Sequence, residues 1–372
     1  MEFLYRGLLS ITWQQVVMWA IGGILIYLAI KKDMEPSLLL PVGFGAILVN
    51  LPFSGAVDQV IKGVLQEGPL STLYTAGIAN ELFPLLLFIG IGAMCDFGPL
   101  LSKPSLMLFG AAAQFGIFFV LCLASMFFPI NDAASIATIA AADGPTAIVV
   151  AQKLKSQYLG PIMVAAYSYM SLVPIIQPPI IKLLTTKKER RIHMDYEPQS
   201  VSKLTRIIFP IAITVIAGLV SPDSVSLVGF LMFGNLIREC GVLDGLNDTA
   251  QGALANIITL ILGITIASQM QADKFLQVDT LIILGLGLFG FIFDTAGGIM
   301  FAKFLNLFLK KKINPMIGAA GISAFPMSGR IVHKMGLEED NQNFLLMHSM
   351  GVNVSGQIAS VVAGGLILSM FM

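Results

Sequence analysis

Two polar, helix-breaking stretches interrupt an otherwise apolar chain of 372 residues. The first runs from Ala141 to Thr146 around Asp143, and the second runs from Asn314 to Ser323. A membrane interior tolerates irregular backbone only where that backbone is buried in protein or lines a cavity. An acid at that depth marks a functional site. Because carboxylate, amide, hydroxyl and backbone carbonyl oxygens suit a hard monovalent cation, the two stretches predict an ion site.

In the first stretch, Asp143 follows three alanines and precedes Gly144 and Pro145. The small residues permit close approach of another segment, and the proline frees backbone carbonyls for a cation. The same residues also fit a structural interpretation, in which Asp143 caps a helix that begins at Gly144. The two interpretations are compatible, and Asp143 is our central candidate for binding the ion.

The second stretch supplies Asn314, Gly318 and Ser323 as candidate metal ligands, and Arg330 follows it. Its glycines could instead serve close helix packing, which is common in membrane proteins. Arg330 needs an anionic partner in an apolar segment, either a protein carboxylate or the carboxylate of a substrate.

Polar side chains on two later apolar segments complete the set of candidates. Tyr169 follows the first stretch along the chain, two residues after Tyr167, and interfacial anchoring is the alternative role for such tyrosines. Asn353 and Ser355 lie in the last apolar segment and are candidate ion ligands. An aspartyl protease pair of Asp143 and Asp294 is disfavoured, because the surroundings of the two acids do not resemble each other.

The elements that must position these residues are membrane-spanning helices. The chain has 12% charged residues and a mean hydropathy of +0.84, whereas soluble domains carry about 25% charged residues. Apolar runs long enough to cross a bilayer recur from end to end. These features predict an all-α, polytopic membrane protein and exclude an ordinary soluble domain.

A weak internal repeat divides the chain at a hydrophilic linker, residues 185–205. Ala79-Asn80 before one apolar run echoes Ala255-Asn256 before another, and aligning Pro145 with Pro326 also aligns Lys153 with Lys334. We therefore expect one repeat in residues 1–184 with a broken segment at 132–152, and a second in residues 206–372 with a broken segment at 313–335.

Each predicted repeat contains about five crossings and one broken or re-entrant hairpin. Basic loops favour the cytoplasm, and this rule places the linker inside and the second repeat in the opposite orientation to the first. Inverted repeats with paired broken segments are typical of a transporter-like core and scaffold, with the ion site near the bilayer midplane.

The motifs from Ala142 to Thr146, from Tyr167 to Met170 and from Asn314 through Ser323 to Arg330 resemble those of one family across nearly the whole chain. The chain is similar to the β subunits of biotin-dependent sodium-pumping decarboxylases, which act on oxaloacetate, methylmalonyl-CoA or glutaconyl-CoA. The resemblance implies that the chain decarboxylates carboxybiotin on a carrier subunit, exports sodium and consumes a proton.

The resemblance also implies roles for individual residues. Asp143 would be the central sodium-binding acid, and Asn314, Gly318 and Ser323 would form or support a second sodium or coupling site. Tyr169 would deliver the proton, and Arg330 would be the functional arginine of carboxybiotin chemistry.

The same resemblance implies the partners and the location of the chain. The expected partners are a carboxyltransferase subunit, a biotin carrier subunit, a small membrane-anchoring subunit, lipid and further copies of this chain, and no nucleic acid. The expected location is the bacterial cytoplasmic membrane. An ion-coupled secondary transporter or cation antiporter without chemistry is the alternative, because the repeat pattern alone fits it equally well.

Overall fold

The computed structural model describes residues 2–61, 63–194, 201–220 and 222–372, and these are predominantly helical. Up to residue 190 the helices are α1 (Glu2–Leu9), α2 (Trp13–Lys32), α3 (Pro36–Val49), α4 (Pro69–Leu73), α5 (Leu82–Met94), α6 (Gly98–Ser102), α7 (Met107–Ala113), α8 (Phe115–Ala124), α9 (Ile130–Ala137), α10 (Gly144–Lys153), α11 (Leu159–Leu184) and α12 (Lys187–Arg190). A short antiparallel pair of strands, β1 (Gln59–Ile61) and β2 (Val64–Gln66), connects α3 to α4.

After the linker the helices are α13 (Lys203–Val220), α14 (Val225–Cys240), α15 (Asp244–Thr249), α16 (Ala255–Ile266), α17 (Ala272–Phe275), α18 (Val278–Phe308), α19 (Met316–Ala319), α20 (Met327–Glu339) and α21 (Leu346–Phe371). Short 3₁₀-helices cover Pro104–Leu106, Thr138–Ala141, Pro222–Ser224 and Ala267–Gln269. Two π-helices cover Tyr74–Ile78 and Ala250–Leu254.

The described residues contain six helices that are long and apolar enough to cross a membrane, or seven if one bent pair counts as a single span. The predicted polytopic, all-α membrane protein is therefore confirmed. The bent pair comprises Pro69–Ile78 and Leu82–Met94. Its two parts meet at 63°, because the π-helix ends there and Glu81 adopts a left-handed backbone conformation, φ 65°.

The two π-helices occupy equivalent positions in the two halves of the chain. Each ends directly before an Ala-Asn pair, Ala79-Asn80 in the first half and Ala255-Asn256 in the second. The packing is reciprocal as well. A glycine of α3 contacts α16, where Gly45 faces Ile264, and a glycine of α14 contacts α5, where Gly234 faces Ile89. Both features agree with the alignment of the two halves.

Each predicted broken segment is a hairpin of two helical arms. The first hairpin comprises α9 and α10, and its chain reverses around Asp143. Near its base, Asp132 accepts hydrogen bonds from the Ser156 hydroxyl at 2.7 Å and from the Gln157 amide at 3.0 Å. Those contacts bring the start of the first arm beside the residues that follow the second arm.

The second hairpin comprises α19, the turn at residues 320–326 and α20. Its two ends converge on one peptide carbonyl of the linker, that of Arg190. The side-chain amides of Asn314 and Asn343 donate to this oxygen at 2.8 and 2.9 Å. The linker segment is therefore packed against the protein at this point, and Arg190 itself is buried. Residues 195–200 of the predicted linker, which include Glu197, Pro198 and Gln199, lie outside the described residues.

Helix α18 lies along both hairpins through a stripe of small residues. Gly287 and Gly290 contact the end of the first arm at Ile139 and Ala140, and Gly298 contacts the backbone of Gly318 in the second hairpin. A side chain at any of these glycines would overlap the facing segment. The stripe thus fixes both hairpins against one helix.

Candidate functional site

The tips of the two hairpins meet in the interior of the protein. Both the amide and the hydroxyl of Ser323 donate to the carbonyl oxygen of Ala141, at 3.2 and 2.7 Å. Ala142 follows in a left-handed conformation, φ 52°, and turns the chain into Asp143. The two stretches that the sequence analysis singled out therefore form one site.

Asp143 is buried at this junction and begins helix α10 as its N-terminal cap. Its Oδ2 atom accepts hydrogen bonds from the hydroxyls of Thr146 at 2.6 Å and of Ser360 at 2.9 Å. The structural role of Asp143 as a cap and its placement in a polar interior site are thus both present. The carboxylate is held by hydroxyls from both halves of the chain, Thr146 in the first and Ser360 in the second.

Helix α21 presents one polar face to the hairpin tips. Asn353, Gln357 and Ser360 are spaced by four and three residues, so they share this face. The Asn353 amide donates to the carbonyls of Ala320 at 3.1 Å and Ile322 at 2.7 Å, and the Gln357 amide donates to the carbonyl of Ser323. The helix therefore holds the turn of the second hairpin with amide donors.

The side-chain oxygen atoms of the same two amides lie beside the junction of the hairpin tips without hydrogen bonds from the described residues. Among the described residues, the Oδ1 atom of Asn353 and the Oε1 atom of Gln357 are buried and accept no hydrogen bond from the protein. Buried polar atoms are normally satisfied, so unpaired oxygens next to a carboxylate indicate a ligand that interacts with oxygen. A sodium ion fits this donor set, which contains carboxylate, amide and hydroxyl oxygens.

The structure places the two tyrosines of α11 differently. The ring of Tyr167 packs on Gly144, directly after Asp143, and its hydroxyl is buried without a partner among the described residues. Tyr169 faces α18, where its hydroxyl donates to the carbonyl of Leu284. Tyr167 is therefore the tyrosine beside the carboxylate, although the sequence analysis gave the proton-delivering role to Tyr169.

Two predicted metal ligands lie away from Asp143. Asn314 is at the base of the second hairpin, where its amide donates to the carbonyls of Arg190 and Ile192 and its oxygen accepts from the Met316 amide. Gly318 packs on Gly298 of α18. Their side-chain and backbone contacts hold the hairpin in place.

Ser355 and Arg330 are also outside the group around Asp143. The Ser355 hydroxyl donates within its own helix to Val352 at 2.6 Å. Arg330 is exposed on α20. The positive charge of its guanidinium interacts electrostatically with the carboxylate of Glu35, which lies between α2 and α3. Burial raises the pKa of Glu35, and the positive charge of Arg330 opposes that rise.

Sequence reasoning missed Ser360, Gln357 and Tyr167 as members of this site. The signal for the first two was available, because Asn353, Gln357 and Ser360 follow a helical period inside an apolar span. The choice between Tyr167 and Tyr169 depends on the rotation of α11 about its axis, which three prolines within the helix make hard to predict.

Comparisons with known proteins show the family of the chain. Residues 14–371 match the family model described as Na+-transporting oxaloacetate decarboxylase beta subunit. The chain is 48% identical to the methylmalonyl-CoA decarboxylase subunit beta of Propionigenium modestum, over 98% of this chain and 97% of the relative.

Two further relatives bear other names. The chain is 47% identical to the glutaconyl-CoA decarboxylase subunit beta of Acidaminococcus fermentans, over 98% of this chain and 95% of the relative. It is 43% identical to the oxaloacetate decarboxylase beta chain of Klebsiella pneumoniae, over 97% of this chain and 96% of the relative. The chain therefore belongs to the family of Na+-transporting oxaloacetate decarboxylase beta subunits.

Proposed function

We propose that this chain is the membrane subunit of a sodium-pumping decarboxylase complex. It decarboxylates carboxybiotin on a carrier subunit and couples the reaction to sodium export, with consumption of a proton. The observation that carries the proposal is the junction of the two hairpin tips, where the buried Asp143 carboxylate lies beside amide oxygens that have no hydrogen-bond partner among the described residues. Membership of a sodium-transporting family gives the cation its identity.

In this proposal sodium binds to the Asp143 carboxylate, to the hydroxyl of Ser360 and to the free oxygen atoms of Asn353 and Gln357. Ser323 supports the site by joining the tips, since its two hydrogen bonds hold the carbonyl of Ala141 in place. Gly318 and Asn314 act as supports for the second hairpin. A cation in this position neutralises an acid that the bilayer would otherwise make costly.

The chemistry is assigned to the exposed end of the second hairpin. Arg330 would orient the carboxylate of carboxybiotin through its planar pair of donors, and a tyrosine of α11 would deliver the proton as a general acid. Tyr169 remains the predicted proton donor, and Tyr167 is the alternative because its hydroxyl has no partner among the described residues. Carboxybiotin itself supplies the carboxyl group whose loss drives the transport.

Coupling requires that sodium and carboxybiotin favour different conformations, since a ligand shifts an equilibrium only by its differential affinity. The hairpins, joined at their tips and packed on α18, would move together as the mobile core of two inverted repeats. The reciprocal packing of α3 on α16 and of α14 on α5 supports the repeat. The exposed basic residues of the linker support a position on the cytoplasmic side in this arrangement.

The remaining parts of the complex follow from the family and are proposed with it. They are a carboxyltransferase subunit, a biotin carrier subunit and a small membrane-anchoring subunit, together with further copies of this chain. The organisms of the relatives support a location in the bacterial cytoplasmic membrane. The free acid or acyl-CoA substrate would bind to the carboxyltransferase subunit.

The test uses the purified complex in proteoliposomes, with sodium uptake and carboxybiotin decarboxylation measured in parallel. Asp143→Asn preserves the size of the side chain and removes its charge, so we expect sodium uptake to fall at least a hundredfold. Asp132→Asn is the matched control, because Asp132 is also a buried acid but already has two hydrogen-bond donors. Unchanged uptake in Asp143→Asn would contradict the sodium site.

A second variant tests the chemistry separately. Arg330→Ala should abolish decarboxylation and leave equilibrium sodium binding within twofold, because Arg330 is outside the group around Asp143. Rapid sodium exchange by the chain without its carrier and carboxyltransferase subunits would instead indicate a transporter without chemistry.

A further inference from the structure

Gln177 is a fully buried polar side chain on α11, and neither the proposed sodium site nor the proposed chemistry uses it. Its amide nitrogen donates to the carbonyl of Ala319 and to the hydroxyl of Ser328, both at 2.7 Å. Ala319 ends α19, and Ser328 lies in the first turn of α20. One side chain of α11 therefore contacts both arms of the second hairpin.

The oxygen of the same amide also has a partner. The Oε1 atom of Gln177 accepts a hydrogen bond from the hydroxyl of Ser328 at 3.0 Å. Asn353 and Gln357 differ, because their oxygens have no partner among the described residues. Burying an amide is costly unless its atoms are hydrogen-bonded, and the amide of Gln177 has both its nitrogen and its oxygen bonded to protein. This side chain is therefore suited to joining helices rather than to binding an ion.

The contact with Ser328 fixes the rotation of α20 about its axis. Successive residues of an α-helix lie about 100° apart, so Arg330, two positions after Ser328, lies about 200° around the helix. Ser328 is fully buried, and Arg330 is exposed. Because Gln177 holds Ser328 on the buried face, it also holds Arg330 on the exposed face.

The same helix contacts the first hairpin beside its acid. The ring of Tyr167 packs on Gly144, the first residue of α10. Val173, one turn before Gln177, packs in one apolar cluster with Ala142 at the first tip. Helix α11 thus contacts the hairpin that carries the acid and holds the hairpin that carries the arginine.

We propose that Gln177 is a positioning residue that couples the chemistry at Arg330 to the movement of sodium at Asp143. Coupling between two sites requires an element whose state both sites affect. Helix α11 meets this requirement, because Tyr167 contacts the first hairpin and Gln177 holds the arm that carries Arg330. When carboxybiotin moves that arm, α11 moves with it or loses these hydrogen bonds. This inference rests on the proposed function and assigns a coupling residue to it.

The test measures sodium uptake and carbon dioxide release in the same proteoliposomes, which contain the purified complex. Gln177→Leu removes the hydrogen bonds of the amide and keeps nearly the same size. We expect the number of sodium ions taken up per carbon dioxide released to fall about fivefold or more, while decarboxylation continues. Equilibrium sodium binding should be retained, because the group around Asp143 is unchanged, and its retention also shows that the variant is folded.

A matched control and a milder variant complete the experiment. Gln114 is also a buried glutamine, but its amide donates to the carbonyl of Gly110, one turn earlier, at 3.0 Å. Gln114→Leu should therefore leave the ratio unchanged. Ser328→Ala removes one partner of Gln177 and leaves the bond to Ala319, so we expect the ratio to fall about twofold. This milder variant decides the question if Gln177→Leu does not fold.

Two results would overturn the inference. If Gln177→Leu and Ser328→Ala lower uptake and decarboxylation in equal proportion, the ratio stays that of the unmodified complex and Gln177 only stabilises the fold. If Gln114→Leu lowers the ratio as much as Gln177→Leu, the effect comes from losing any buried amide and not from this contact. Decarboxylation without sodium uptake in the unmodified complex would instead contradict the proposed function itself.

Discussion

The two hairpins share a shape and differ in their surroundings. Every residue from 132 to 151 in the first hairpin is buried. In the second hairpin α19 is buried, but α20 exposes Arg330, Lys334 and Glu338 along one face. The first hairpin carries the acid at its tip, and the second has a neutral tip and a charged outer arm. One hairpin is thus suited to hold an ion, and the other to meet a water-soluble partner.

The largest expected effect concerns the contact of the second hairpin with α18. In Gly318→Ala the added methyl group would overlap the backbone of Gly298, and neither backbone segment can move away cheaply. We expect a loss of stability beyond the ~1–3 kcal/mol of ordinary overpacking, measured by thermal unfolding of the detergent-solubilised complex. Gly285→Ala is the control, since a side chain there would meet nothing within 4 Å.

The next effect concerns the base of the second hairpin. The Nε atom of Arg190 pairs with Glu339 at 2.6 Å, and the two side chains are 7% and 16% exposed. Arg190→Ala leaves that carboxylate without its partner, which costs about 3 kcal/mol in a largely buried pair. Limited proteolysis should then cut near residues 339–343 sooner. Lys188→Ala, at an exposed residue, is the control. If the two variants resist proteolysis equally, the linker does not hold the hairpin.

A smaller effect separates two serines of α21. Ser360→Ala removes a hydrogen bond to the Asp143 carboxylate, and hydrogen bonds to charged groups contribute about 1.5–3 kcal/mol. We expect the sodium concentration for half-maximal uptake to rise at least tenfold. Ser355→Ala should leave that concentration within twofold, because its hydroxyl bonds its own helix. Equal effects would mean that the site extends to the other side of α21.

The smallest effect depends on pH and concerns the residues after α20. Hydrogen bonds from the Gln342 amide and then from His193 lower the pKa of Asp340 below its ordinary value of 3.8. A lowered pKa stabilises the folded state above the unfolded pKa, and this contribution is lost as the pH falls below about 4. Asp340→Asn should therefore reduce the slope of stability against pH only in that acid range, as measured by thermal unfolding. An unchanged slope would exclude a role for this contact.

Sequence reasoning recovered the helical membrane class and the two interruptions, because hydropathy and helix-breaking residues are local signals. It could not assign the partners of Asn314, since these are the carbonyls of Arg190 and Ile192, more than 100 residues earlier in the chain. The hydroxyl of Ser360 reaches Asp143 across 217 residues of sequence. Such contacts depend on how helices rotate and pack, which a single sequence does not specify.

The convergence of Asn314 and Asn343 on the carbonyl of Arg190 also affects the chain entropy of the second hairpin. The two amides close a loop of roughly 30 residues, and the entropy of closing a loop depends only on the logarithm of its length. Doubling that length would cost about 0.6 kcal/mol more. The closure entropy alone therefore opposes a longer loop only weakly as long as both amides still reach that oxygen, and the cost of an insertion would come from the packing of the hairpin on α18.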